Sequence, residues 1–359
     1  MTISINVQQE ILSTYKVHST LYSDYASLVA ELIKKLLDAH GVKTHSVVYR
    51  SKSTSSLNGK ISRADKSYIC LTDITDLAGA RITTYFADDV NRVADILMTE
   101  FTCDPLASIN KRRQDEPDRF GYQSLHYIVS LPIARSCLTE YAKFAELKCE
   151  VQVRSILQHA WAEIEHDLGY KSAAGVPIDL RRRFARIAGL LELADDEFCS
   201  IRDALNNYAN SIPQRIIDEP ASVDLDMPSF RALFSVPSAI TALDDAVIRA
   251  GDGDLGDSSP KSFDTLIERL NSLGIFTVDE LEKKSLENIK NVGDFVKYWT
   301  NGKLGSVGAG IGVFYLIYVL LWQRKDENEV LEYLNRYEMG EENERHFLAI
   351  KLIDFKPMV

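Results

Sequence analysis

Two carboxylates and a group of cations share the first half of the sequence. Asp76 begins the run DLAGAR, which ends at Arg81, and Glu150 begins the run EVQVR. From Lys43 to Arg81 there are seven lysines and arginines against three acids. Transfer of a phosphoryl-type group requires such a set, because carboxylates hold the magnesium that bridges phosphate oxygens and cations neutralise the transferred group. The alternative interpretation of the basic run is a solvated charged surface.

The spacing of the cations favours an anion site. Arg50 and Lys52 are two residues apart, so a strand would point both side chains to the same side. Residues 53–60 add hydroxyls, a further cation at Lys60 and flexible backbone amides where a triphosphate can lie. Arg63 extends the patch. Because a guanidinium can also stack on an adenine ring, the patch is predicted to bind a nucleotide.

The two carboxylates lie in separate segments with different patterns. Glu150, Gln152 and Arg154 alternate with apolar residues, so in a strand they share one face. Gly79 stands where a strand is expected to begin, and it predicts a β-bulge or a close approach of the ligand. A carboxylate that touches both a metal ion and a hydroxyl can act as a base. The hypothesis is therefore that Asp76 and Glu150 meet in one magnesium site.

The run FGYQSLH at residues 120–126 is a candidate surface for a second substrate. Gly121 leaves room for a ligand, Tyr122 can stack on a purine, and His126 follows in a predicted strand. Packing of Tyr122 in the core is the alternative interpretation. The loop before it, residues 110–119, carries nearly balanced charge and either contacts an acceptor phosphate or is solvated.

A zinc site is a weaker interpretation of another group of residues. His159, Glu163 and His166 fall on one face of a predicted helix. Their spacing is not HExxH, so structural hydrogen bonding is the favoured role. The five cysteines are scattered without a CxxC pair, which argues against structural zinc and against disulfides.

The hydrophobic pattern predicts an α/β (α+β) fold for the first part of the chain. A helix is expected over residues 8–40, and short β-type runs then alternate with helix from residue 44 to 154. Helices from residue 156 to about 168 and from 180 to about 208 are expected to cover a mixed sheet. We place this domain at residues 1–217.

The rest of the chain is predicted to form a linker and a second domain. Residues 218–262 are acidic and contain several prolines and glycines, which favours loops. Residues 263–359 are expected to form a mainly helical regulatory or interaction domain, with two helices separated at Gly274 and a strand-like end at residues 347–355. Residues 304–322 carry no charge, but four glycines in the first half favour a buried helix over a membrane span.

Composition limits the class of protein and its compartment. The chain of 359 residues has 45% hydrophobic residues, enough for two or three compact units, and a formal net charge of −11. An acidic surface repels nucleic acid and polyphosphates, so any anion site must be a local basic patch. The polar start does not have the layout of a signal peptide, and the unpaired cysteines suit a reducing compartment, so a cytoplasmic protein is expected.

Five motifs in order resemble one known family. They are RSK at Arg50, the run DLAGAR, GYQSLH at Gly121, EVQVR, and HAWAEIEHDLGYK at His159. Over about residues 20–210 the chain resembles the synthetase domain of RelA/SpoT proteins. That resemblance implies a nucleotidyltransferase-like mixed sheet flanked by helices.

The resemblance also implies a reaction and roles for individual residues. In that family the β,γ-pyrophosphate of ATP moves to a ribose 3′-hydroxyl, AMP leaves, and Mg²⁺ is the cofactor. Asp76 and Glu150 would hold the metal, with Glu150 also acting as base. The acceptor side would be Tyr122, Gly121, His126, Gln152 and Arg154. The ATP side would be Arg50 and Arg81 around adenine, with Lys52, Ser56, Lys60 and Arg63 on the phosphates.

The identity of the acceptor is left open by the sequence. The loop at residues 110–119 reads NKRRQDEPDR and departs from the pattern of the long bifunctional enzymes. The leading hypothesis is synthesis of (p)ppGpp from GDP or GTP. One alternative is the same transfer to the 3′ end of tRNA by a toxin or phage-defence effector of the CapRel kind, with a protein trigger or antitoxin at the C-terminal domain. A catalytically silent binding module is the other.

Overall fold

The structure is a computed structural model with two compact units. It describes residues 5–63, 67–105, 108–110, 125–168, 177–256 and 260–358. The first unit comprises Met1–Asp203 and the second Ala204–Val359. Each unit has its own hydrophobic core.

The first unit is built from helices and short strands in alternation. Two 3₁₀ turns, Leu71–Asp73 and Ala142–Phe144, connect some of them. Its elements are α1 (Ile5–Ala39), β1 (Thr44–Ser51), α2 (Thr54–Ile61), β2 (Ala78–Thr84), α3 (Asp89–Glu100), β3 (Thr102–Cys103), β4 (Ile109–Asn110), β5 (Leu125–Ser130), α4 (Ile133–Ser136), β6 (Cys149–Ser155), α5 (Ile156–Asp167) and the part of α6 (Ile178–Asp218) up to Asp203.

The strands form one mixed sheet. Its order is β1-β2-β6-β5-β3, and β4 also pairs with β5. β2 runs parallel to β6, whereas β1 and β5 are antiparallel to their neighbours β2 and β6. The predicted α/β class with a mixed sheet is therefore confirmed.

One face of this sheet packs into the core beneath α1. Ile82, Val151 and Val153 point to this face and are fully buried. They belong to the same hydrophobic cluster as Tyr25 and Ile33 of α1, which lies against β1 and β2. Because strand side chains alternate, burial of these residues sends their polar neighbours to the opposite face.

The segment after β1 is a helix, so the flexible backbone amides expected over residues 53–60 are instead part of helix α2 and its N-cap. Ser53 caps α2, and its hydroxyl accepts a hydrogen bond from the Ser56 amide at 3.2 Å. Serine is a preferred N-cap because its oxygen satisfies an amide that the helix leaves unpaired. Leu57 and Ile61, one helical turn apart, are buried and anchor α2 to the core.

The second unit is helical, as predicted. Its two short strands pair with each other in parallel. Its elements are α7 (Met227–Ala232), α8 (Ala239–Gly251), β7 (Asp254–Gly256), α9 (Pro260–Ser272), α10 (Val278–Thr300), β8 (Ser306–Gly308), α11 (Ile311–Arg324), α12 (Glu327–Arg336) and α13 (Arg345–Ile353).

The expected linker at residues 218–262 differs from the structure. The units divide between Asp203 and Ala204, within α6, and α7 and α8 contribute to the core of the second unit. Some of the residues that suggested loops lie at helix ends: Asp226 caps α7, and Gly251 is the last residue of α8. Such residues favour helix termini as well as turns, so composition alone misled the prediction.

The strand expected at residues 347–355 is also wrong, because α13 covers most of it. Ala349 and Leu352 are three residues apart and buried, whereas Phe347 is exposed. This is the spacing of a helix face and not the alternation of a strand. Short apolar runs fit both patterns, and contacts with the rest of the unit decide between them.

The uncharged stretch at residues 304–322 forms β8 and most of α11. Leu316, Val319 and Leu321 of α11 are fully buried in the second core. In the described part of the chain, no helix is both long and apolar enough to cross a membrane. The preference for a buried helix is therefore confirmed.

A buried carboxylate fixes the start of α11. Asp244 of α8 accepts hydrogen bonds from the Gly310 amide at 2.8 Å and from the Gly312 amide at 2.6 Å. These amides lie at the N-terminus of the helix, where the helix supplies them with no acceptor. A side chain at Gly312 would meet the backbone of residues 243 and 244 at 2.6 Å, so glycine permits this close packing.

We expect Asp244→Ala to lower the free energy of unfolding of the second unit by about 1–3 kcal/mol, since two buried amides lose their acceptor. Urea unfolding followed by the fluorescence of Trp299 and Trp322 measures this loss. Asp245→Ala is the matched control, because Asp245 is exposed on the same helix. An equal loss in both variants would contradict the assignment.

Candidate active site

The registers of three strands place Arg50 and Glu150 on the same face of the sheet. Arg50 pairs with Gly79 across β1 and β2, and Gly79 pairs with Glu150 across β2 and β6. Paired residues project to the same side, and glycine places no side chain between the two. The pairing at Gly79 is regular, so the expected bulge is wrong. The Arg50 side chain makes the close approach, 3.4 Å from where a Cβ of residue 79 would lie.

A pocket lies on this face, away from the core. It is open to solvent, and its empty volume, part of it open solvent, is about 360 Å³. Arg81 of β2 pairs with Val48 on one side and Gln152 on the other, so both arginines reach the pocket. The lining residues are Val48, Tyr49, Arg50, Ala80, Arg81, Glu150 and Gln152.

Asp76 precedes β2 and is held by two lysines. Its Oδ2 lies 2.6 Å from the Nζ of Lys52, just after β1, and 2.8 Å from the Nζ of Lys60 in α2. Burial raises the pKa of Asp76, but the hydrogen bonds from the lysines outweigh burial and hold it below its usual value. The other oxygen, Oδ1, is buried and has no hydrogen-bond partner among the described residues.

Glu150 is held by two residues of the same face. His126 of β5 donates from Nδ1 to Oε1 at 2.9 Å, and Gln152 donates from Nε2 to Oε2 at 3.1 Å. Burial and the negative charge of Asp76 raise the pKa of Glu150, but these two hydrogen bonds hold it below its usual value. The influence of Asp76 on this pKa means that the carboxylates lie within electrostatic range of each other.

The two carboxylates fit a magnesium ion better than a metal caged by the protein. The unpartnered Oδ1 of Asp76 is a free acceptor, and Glu150 is ionised nearby. Magnesium is commonly held by one or two carboxylates, with substrate phosphates and waters in the other positions. In the described ranges, no group of three or more His, Cys, Asp or Glu residues is arranged to hold a metal, which leaves the zinc interpretation at His159 without support.

Helix α5 supplies a counter-charge to the arginines. Glu163 forms an ion pair with Arg81, in which its Oε1 lies 2.9 Å from Nη1. The same oxygen lies 3.7 Å from His159 Nδ1. Arg154 lies on the same face of β6 as Glu150, and burial together with the charge of Arg81 lowers its pKa. The sequence interpretation missed Glu163 as a counter-ion, although its helical spacing from His159 was visible.

The remaining predicted site residues fall into three groups: exposed residues, residues that contact Glu150, and residues outside the described ranges. Ser56 is exposed in the first turn of α2, and Arg63 is exposed just beyond that helix. His126 and Gln152, predicted to contact the acceptor, are hydrogen bonded to Glu150. Gly121, Tyr122 and the loop at 111–119 lie outside the described residues.

The segment that holds these residues is similar to known proteins. Residues 49–175 match the region found in RelA/SpoT proteins. The chain is 28% identical over 157 residues to GTP pyrophosphokinase YjbM of Bacillus subtilis, spanning 44% of this chain and 71% of that protein. It is 30% identical over 130 residues to GTP pyrophosphokinase YwaC of the same organism, spanning 36% of this chain and 58% of that one.

A solved structure with a similar chain is the small alarmone synthetase 1 from Bacillus subtilis bound to its product pppGpp. It is 22% identical, with a TM-score of 0.46, and the match covers 54% of this chain and 99% of that chain. The family match ends at residue 175, before the second compact unit begins.

We expect Glu163→Gln to lower the pKa of His159 further. Burial and the positive charge of Arg81 already hold this pKa below the usual histidine value, and the charge of Glu163 opposes them. Removing that charge therefore disfavours the protonated ring. An NMR titration of the imidazole measures the shift, with Asp167→Asn on the same helix as the control. An unchanged or higher His159 pKa in Glu163→Gln would argue against this electrostatic coupling.

Proposed function

Because residues 49–175 match the region found in RelA/SpoT proteins, we propose that this chain is an ATP-dependent pyrophosphokinase. It moves the β,γ-pyrophosphate of ATP to the ribose 3′-hydroxyl of GDP or GTP, which gives (p)ppGpp and AMP. The names of the relatives, GTP pyrophosphokinases, support a guanine nucleotide as acceptor. Transfer to the 3′ end of tRNA uses the same chemistry, and the assay below includes it.

One observation carries the proposal: two ionised carboxylates lie within electrostatic range of each other beside a basic pocket. Asp76 and Glu150 each keep a low pKa in a partly buried setting because polar partners surround them. Arg50 and Arg81 line the adjoining pocket. Phosphoryl-type transfer depends mainly on positioning and charge stabilisation, and this arrangement supplies both.

On the donor side, the proposed position of ATP follows from the shapes of the cations, which are planar guanidinium groups and compact ammonium groups. The guanidinium groups of Arg50 and Arg81 would hold adenine between them in the pocket. The ammonium groups of Lys52 and Lys60, which meet at Asp76, would turn to the phosphates. Ser56, in the first turn of α2, and Arg63 would extend this contact along the triphosphate.

In the reaction, Glu150 would accept the proton of the 3′-hydroxyl. The hydroxyl oxygen then attacks the β-phosphorus, a new oxygen–phosphorus bond forms, and the bond from the β-phosphorus to the bridging oxygen of AMP breaks. His126 and Gln152 hold both oxygens of Glu150, which orients the carboxylate toward one position. These contacts make His126 and Gln152 positioning residues in this proposal.

Magnesium fits the donor set described above, with Asp76 and Glu150 as its protein ligands. Bound there, the ion would supply positive charge that stabilises the negative charge developing on the transferred group. Asp76 would offer its unpartnered Oδ1 to the metal.

We expect Glu150→Gln to lower kcat by about 10²–10⁴-fold, which is the usual contribution of a general base. The assay follows transfer of label from γ-labelled ATP to GDP, GTP or deacylated tRNA, with the full chain and Mg²⁺. Wild type should label a guanine nucleotide and leave tRNA unlabelled.

The control for this prediction is Glu146→Gln, an exposed carboxylate before the same strand, and its kcat should equal that of wild type. Labelling of tRNA alone would replace the proposed acceptor. No transfer to any acceptor, with Glu150→Gln and wild type alike, would exclude the enzyme.

We also expect Arg50→Lys to raise the KM for ATP by about 5–30-fold, the effect of losing roughly 1–2 kcal/mol of stacking on the base. Lysine keeps the charge but cannot stack as a flat group, so kcat should change much less. Steady-state kinetics with ATP as the varied substrate separate the two effects. A fall in kcat at constant KM would place Arg50 at the transferred group and not at adenine.

A further inference from the structure

The second unit buries an arginine that has no acidic partner. Arg269 of α9 is 9% exposed, and no ion pair joins it to an acid of the described ranges. Its Nη2 donates to the thioether sulfur of Met339 at 3.2 Å, a weak acceptor. Its Nε is buried without any hydrogen-bond partner in the same ranges. Arginine is seldom buried unless a counter-charge compensates it.

Aromatic rings surround this guanidinium but do not replace a counter-ion. Its central carbon lies 5.1 Å from the ring centre of Tyr337 and 5.9 Å from that of Phe314. A cation–π contact that is shielded from water offsets only part of the cost of burying an unpaired charge. The rings therefore do not compensate the charge fully.

Two tyrosine hydroxyls lie beside Arg269. The rings of Tyr333 and Tyr337 lie 4.8 Å apart, and the Tyr337 hydroxyl is buried without a hydrogen-bond partner in the part of the chain that is described. Burial raises the pKa of Tyr333 although its oxygen accepts a hydrogen bond from Arg269, so this hydroxyl keeps a proton that it can donate. Arg269 and the two tyrosines thus offer three unused donors, and buried donors of this kind usually bind water or an ion.

We propose that Arg269, Tyr333 and Tyr337 bind a phosphate group of a small molecule. All three unused groups can donate, so their common partner is an acceptor, and the positive charge selects an anion. A guanidinium fork bonds two oxygens of such a group, and phosphate keeps further oxygens for the hydroxyls, which a carboxylate provides less well.

A second cation points to an entry at the surface. Arg336 at the end of α12 is exposed, and its guanidinium carbon lies 5.3 Å from the ring centre of Tyr337. No carboxylate of the described ranges pairs with it. An arriving anion would therefore meet Arg336 first and Arg269 further inside, with the ring of Tyr337 between them.

This site is independent of the proposed transfer reaction. Its residues lie in α9 and in the segment from α12 onward, all within the second unit and beyond the RelA/SpoT match. Loss of transfer activity in the first unit would therefore leave this proposal unchanged.

The test is hydrogen exchange of the full chain, titrated with inorganic phosphate or with AMP at constant ionic strength. We expect saturable protection of residues 260–272 and 327–339 in the wild type. Arg269→Gln should weaken the apparent affinity at least tenfold. Tyr337→Phe removes only a hydroxyl that has no partner in the described ranges, so the protein should stay folded while the affinity falls.

Two control variants locate the binding. Arg249→Gln removes an exposed arginine of the same unit and should leave the protection intact. Lys52→Met removes a cation of the first unit and should do the same. Protection by both ligands identifies a phosphate ester as the source, and protection by inorganic phosphate alone identifies the free ion.

Three outcomes would overturn the proposal. The first is that neither inorganic phosphate nor AMP gives protection. The second is protection that survives in Arg269→Gln, and the third is equal protection by acetate, which would identify a carboxylate site.

Discussion

The parallel pairing of β2 with β6 is the constraint on which the candidate active site depends. It sets Glu150 beside Gly79, and the pairing of β1 then sets Arg50 on the other side. A slip of one residue would turn Glu150 toward the core. The register is fixed from the opposite face, where Ala80 and Val151 are paired and buried. The apolar face of the sheet therefore determines where the polar groups stand.

Electrostatics then keep those polar groups charged in a partly buried place. Burial alone would favour the neutral form of both carboxylates. Lys52 and Lys60 prevent this at Asp76, as His126 and Gln152 do at Glu150. Helix α2 contributes to this arrangement, because it brings Lys60 back over the end of β1. The fold therefore also determines the charge of the site, because it brings these polar partners to the two carboxylates.

The sequence predicted the features that depend on local patterns. The alternation in EVQVR was enough to place Glu150 on the polar face, and it is found there. The partners of that carboxylate were not predictable in the same way, because His126 reaches it from a strand 24 residues away. Helix α2 and the helices within 218–262 were missed because serine, proline and glycine serve both loops and helix ends. The burial of Arg269 was not predictable from the sequence, because it depends on how the helices of the second unit pack.

The ion pairs at Asp76 are present without a nucleotide, and they affect how the affinity for a polyphosphate depends on ionic strength. A phosphate that engages Lys52 and Lys60 exchanges one fixed anion for another, so few mobile ions are displaced in the process. Both lysines are also mostly buried, where dissolved salt screens charge weakly. The affinity for a polyphosphate should therefore vary less with ionic strength than the number of cations suggests. An acidic protein with a net charge of −11 can in this way attract an anionic ligand at one place while repelling anions over the rest of its surface.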